Sequence, residues 1–219
     1  MDQDTRPTIC VLTGDIVRSS RLDEARLNQL MDSLESCSKK VIGWTRTPSP
    51  PMERYRGDGW QLALTDPILA LRAGLLLRAS LRCLDRVADS RISFGIGPGK
   101  VGRSLAASSG PAFERSGTLL EAMRGPDRWA FDNLELDPPV QRLMSGLFIA
   151  CEAVSSHWTR RQAEVFSLMA TPDEPTHAEV ASRLGVRAQT VQDHFAKAGG
   201  RALSQILDIY EHSRCEKTA

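Results

Sequence analysis

The sequence predicts an α+β protein, and three observations lead there. Short β-branched runs and segments of helical period follow one another in the order strand, helix, strand, strand, helix, strand as far as residue 96. From residue 139 onward only helical periodicity remains. The 219 residues are 41% hydrophobic and 25% charged with a formal net charge of +1. This predicts a packed chain with room for two small domains, and it gives no electrostatic sign of a polyanion partner.

The first strand is the apolar run from Thr8, which ends at Gly14-Asp15 and passes through a Ser-rich turn into a helix over residues 22–44. That helix places Leu27, Leu30, Met31, Leu34, Val41 and Ile42 on one face. A proline-rich connector at 45–51 leads to a hairpin at 53–64 with Gly57-Asp58-Gly59 at its tip, where glycine lets the chain reverse. Thr65-Asp66-Pro67 caps a Leu-rich helix that runs to about Leu84, and a strand covers 91–96. The glycines of 95–102 invite a phosphate-loop reading, but the Pro98-Gly99 centre between β-type runs favours a hairpin turn. A helix over 110–124, a short strand at 129–131 and a helix over 139–155 follow. The order up to residue 96 is the split βαβ of ferredoxin-like folds, βαββαβ. The expected domains are 1–137, a connecting helix at 138–156, and an all-α domain at 157–219.

In the second domain Thr159 and Gln162 form a capping-box pattern. Residues 176–184 read as a helix, Gly185-Val186 as a turn and 188–198 as a second helix. Ala181 is small where two helices cross, Gly185 frees the turn, and Val180, Leu184, Val186 and Val191 are spaced to fill the core between them. Together these constraints predict a helix-turn-helix whose second helix reads a major groove of double-stranded DNA through Arg187, Gln189, Thr190, Gln192 and Lys197. Against this, basic and acidic residues are equal in number over 157–219. The alternative is therefore a helical module that packs on a protein or dimerises, and a DNA-binding reading calls for a homodimer. His177 and His194 read as surface and packing residues, and Trp158 and Phe195 as core.

If the first strand pairs with the hairpin, Asp15 and Asp58 meet at one end of one sheet. Two adjacent carboxylates with no Lys or Arg between them call for a divalent cation with oxygen ligands. The segments Gly14 to Ser20 and Arg54 to Gly59 resemble the two metal-binding segments of class III nucleotide cyclases, and the domain arrangement resembles the SatD family. The run from Val180 to His194 resembles LuxR-type and sigma region 4-type modules. The cyclase resemblance implies that Asp15, the Ile16 carbonyl and Asp58 bind Mg²⁺ or Mn²⁺ on a nucleotide. Val17, Arg18, Ser19 and Ser20 would then offer N–H groups to its phosphates, and Arg54 would contact the base. The resemblance breaks in the helix after the glycine run, where Glu114 and Thr118 stand in place of the family's Asn and Arg. The expectation is a transcriptional regulator that binds a metal-nucleotide without cyclising it. The alternatives are a divergent cyclase or other metal-dependent nucleotide-processing enzyme, and a structural protein in which both Asp residues only form turns.

The five cysteines are scattered without C-x-x-C pairs and read as small core residues of a reducing cytoplasm, not as a zinc site. The polar start and the lack of a long apolar run lead to the expectation of a cytoplasmic protein without membrane contact.

Overall fold

The computed structural model describes residues 5–212. It is mixed α/β, with a five-stranded mixed sheet and, among the described residues, eight α-helices. β1 (Thr8–Ile16) is the central strand, with β3 (Gly59–Leu64) on one side and β4 (Ser90–Pro98) on the other, both antiparallel to it. β2 (Glu53–Tyr55) extends the β3 edge, and β5 (Trp129–Asn133) joins β4 in parallel, giving the order β2-β3-β1-β4-β5. Both sides of β1 are apolar because both faces are covered. Cys10, Leu12 and Ile16 belong to the large core shared with α1 (Glu24–Ile42) and α2 (Ala70–Leu84), while Ile9 and Val11 pack with Ala112 of α3 (Pro111–Ala122).

The chain leaves the sheet through α4 (Pro138–Ser156), which Asp137 caps by accepting from the Val140 N–H at 3.0 Å. α5 (Arg160–Met169), α6 (His177–Leu184) and α7 (Ala188–Lys197) enclose a small core of Val165, Val180, Ala181 and Val191. Capping boxes at Thr159/Gln162 and Thr176/Glu179 start two of these helices, and Gly185 ends α6 in the left-handed region at φ 65°. α8 (Gly200–His212) closes the chain against α2. Leu203, Leu207 and Tyr210 join the large core, and Arg72 pairs with Glu211 at 2.7 Å and donates to the Ala170 carbonyl at 2.7 Å. α2 is thus buried nearly all round, with the sheet on one side and α5 and α8 on the other.

Two local expectations change. The first helix does not follow the Ser-rich turn directly: Ser19–Arg21 form one 3₁₀ turn, and α1 starts where Asp23 accepts from the Arg26 N–H at 2.7 Å, a true N-cap. The glycine run after β4 is not a two-stranded hairpin. It opens into a wide loop closed by a single bridge between Lys100 and Ser109, with Ser104 capping a 3₁₀ turn inside it. At Gly99 the chain is still tied to the segment before β1, its N–H donating to the Pro7 carbonyl at 3.0 Å, and a side chain there would collide with Ile9.

Arg78 is the most deeply buried charge. Its Nε donates to Asp89 at 3.1 Å, and its Nη1 donates to the Glu152 carbonyl at 2.7 Å and to the Glu152 carboxylate at 3.0 Å; its guanidinium also lies 4.9 Å from the Trp129 ring centre. Removing one partner of such a buried network typically costs about 3–5 kcal/mol. Arg78→Ala is therefore expected to lose stability on that scale in urea unfolding, and a loss under about 1 kcal/mol would contradict this reading.

Burial pushes the Cys37 thiol up to about 12, and Cys83 and Cys151 to about 11. Folded protein should therefore react slowly with a thiol reagent at these three positions near pH 8, and denaturant should release the reaction. Cys215 lies outside the described residues.

Candidate functional site

The register that pairs Asp15 with Gly59 on β3 and with Arg91 on β4 brings Asp15 and Asp58 to one end of the sheet. The Ile16 N–H donates to the Asp58 carbonyl at 3.2 Å, locking the hairpin tip to the end of β1. The approach depends on Gly14. A Cβ there would come within 2.5 Å of both the Arg91 carbonyl and the Trp60 ring, which lies across that position. The Trp60 indole N–H donates to Ser90 Oγ at 3.0 Å, and Ser90 Oγ donates to the Asp15 carbonyl at 2.6 Å.

The carboxylates already have a cation. Arg91 donates through Nε to Asp15 Oδ1 at 2.8 Å and through Nη2 to Asp15 Oδ2, a two-point pair. The hydrogen bond to Asp15, followed by the charges of Asp15 and Asp58, raises the Arg91 pKa against the opposing effect of partial burial. Tyr55 is pushed up as well, first by burial and then by Asp15, with Asp58 adding to it. Asp58 Oδ2 accepts from Ser19 Oγ. Reading the sequence alone misses Arg91, although it sits directly across the ladder from Asp15. The signal was available in the β1–β4 register.

The other expected ligand residues separate. The Val17 N–H is used by the Asp89 carbonyl at 2.9 Å, so it does not face a phosphate. Arg18 takes the left-handed conformation at φ 59° and, with Val17, lines a cleft of about 460 Å³ between the sheet end and the end of α4. Arg128, Asp89, Ser156 and His157 also line that cleft. Ser20 is exposed. Arg54 turns to α1, donating to Asn28 Oδ1 at 2.7 Å and to the Gly57 carbonyl, away from Asp15.

On α3, Glu114 and Thr118 are both exposed, and Thr118 Oγ1 donates to the Glu114 carbonyl at 3.0 Å. Arg115, the nearest cation to them in sequence, is paired with Asp132 of β5. On α7, Arg187, Gln189, Gln192 and Lys197 are exposed and Thr190 is half-buried. Gln189 Nε2 donates to Asp193 at 2.9 Å, which places a carboxylate among them.

A scan against protein-family models finds no match for this chain, and a search of curated proteins finds none either. Among the described residues no group of three or more His, Cys, Asp or Glu side chains could hold a metal ion. Asp15 and Asp58 are the hard oxygen donors that Mg²⁺ or Mn²⁺ prefers, but both Asp15 oxygens are engaged by Arg91, so the pair as arranged does not fit a resident ion.

Divalent ions alone should accordingly leave the melting temperature of the wild-type protein unchanged. In Arg91→Met the uncompensated carboxylates should acquire a Mn²⁺-dependent rise in melting temperature. A Mn²⁺ shift in wild type that is lost in Asp15→Asn would reverse the assignment.

Proposed function

We propose that this protein is a DNA-binding transcriptional regulator in which a cyclase-like domain of the SatD type binds a nucleotide and a helix-turn-helix formed by α6 and α7 binds double-stranded DNA. The observation that carries the reading is the α5–α7 unit. Its helices share a core of Val165, Val180, Ala181 and Val191, α6 stops at a left-handed glycine, and α7 leaves Arg187, Gln189, Gln192 and Lys197 in solvent. Glutamine suits adenine edges, and arginine or lysine suits guanine or phosphate.

For the first domain, the strand order β2-β3-β1-β4 with antiparallel neighbours supports a ferredoxin-like reading, β5 being an addition beyond β4. Arg18 and Arg128 at the mouth of the cleft supply two cations for the phosphates of a nucleotide. His157, which joins α4 to α5, lines the same cleft, so an occupant there bears directly on the orientation of the helical unit. Such coupling requires the occupant to bind one arrangement more tightly than another.

Cyclisation is not part of this reading. It needs a donor or cation where charge develops on the phosphates, and losing even one such donor typically costs about 10²–10³ in rate. By the cyclase resemblance Glu114 and Thr118 stand at those positions, and Asp132 holds Arg115.

Selection of genomic fragments by the purified full chain should recover a preferred sequence, with binding that weakens as salt rises. Gln189→Ala and Gln192→Ala should each cost on the order of 1–3 kcal/mol and relax the preference at one position. Recovery of no preferred sequence would remove the DNA-binding assignment in favour of a protein-packing module.

A further inference from the structure

α4 is amphipathic in an unusual sense: its inner face is buried and its outer face is exposed but apolar. Phe148, Cys151 and Ser155 point into the core. Leu143 is 74% exposed and Ile149 57% exposed, with Val140 also in solvent. Pro138, Pro139, Gly146, Ala150 and Ala153 are exposed on the same side. A side chain at Gly146 would meet nothing within 4 Å. Arg142 is the one charged residue among the exposed positions of this helix. Single exposed apolar residues are ordinary, but a continuous stripe along five turns of helix marks an interaction surface.

We infer that this face of α4 pairs with the same face of a second copy of the chain, the two helices running antiparallel about a two-fold axis near Gly146. A two-fold contact uses one patch twice, and an apolar patch with a single charge is complementary to itself. Charge decides the direction. Parallel pairing would set Arg142 against Arg142, whereas antiparallel pairing about Gly146 sets each Arg142 across from Ala150 of the other helix and keeps the two cations apart. Gly146, Ala150 and Ala153 let the backbones approach, and Leu143 and Ile149 flank them as the larger side chains that would lose water on pairing.

Other occupants fit less well. A membrane surface is met by helices with basic polar faces, and the flanks of this stripe carry Gln141, Ser145 and a Glu152 already bound to Arg78. A helix of 19 residues is about 28 Å long, and a contact of that length lies at the low end for a specific interface, so the dimer should be concentration-dependent.

The test is light scattering coupled to size exclusion on the full chain over a wide concentration range. Wild type should move from 24.1 kDa toward twice that mass. Leu143→Glu/Ile149→Glu should stay monomeric with an unchanged melting temperature, because both side chains are in solvent in the monomer. Gly146→Cys in a Cys215→Ser background should cross-link to itself under mild oxidation. A wild type that is monomeric throughout, or a dimer that survives the double substitution, overturns the inference. Neither result depends on whether the chain binds DNA.

Discussion

Burying the Arg78 guanidinium commits everything around it. The guanidinium draws α2, the residue before β4 and the end of α4 onto one point, because Asp89 and Glu152 must both stay close enough to compensate its charge. Asp89 then carries the constraint further. Its second carboxylate oxygen accepts from Arg82 at 3.0 Å, and its backbone carbonyl takes the Val17 N–H, fixing the way the chain leaves β1. The position of Asp15 therefore depends on a cation on the opposite face of the sheet. The end of α4, and with it the junction at His157, is held by the same group.

Within this frame the sheet end is a cluster with one negative charge in excess. Two carboxylates and one guanidinium share a partly exposed edge, with Tyr55 and Ser19 as neutral neighbours. The cleft around the corner differs, because its deeper charges are already matched to one another while Arg18 at its mouth is exposed.

Much of this was legible in the sequence where a local rule had no rival. The apolar run of β1, the glycine at the hairpin tip, the Thr-x-x-Gln cap and Gly185 each determine their own conformation, and each stands where its chemistry puts it. The juxtaposition of Asp15 and Asp58 followed from one assumed strand pairing, and the register agrees. What escaped depends on distant partners. Arg91 is unremarkable until β4 is laid beside β1, and Arg115 is available to a ligand until β5 brings up Asp132. Arg54 looks free for a base until α1 presents Asn28. The docking of α8 on α2 was not legible, because α2 shows no polar face to mark which side faces a third layer.

That third layer governs the order in which the chain can mature as it is made. The outer side of α2 is complete by residue 84, yet the helices that cover it come from residues 160–169 and 200–212. Through most of synthesis a Leu-rich helix waits with one flank uncovered, and Arg72 waits for Glu211. A chain interrupted after α4 would leave the outer flank of α2 exposed, a substrate for holding chaperones. The last turn of α8, where Tyr210 and Glu211 sit, is where the nascent chain becomes safe to release.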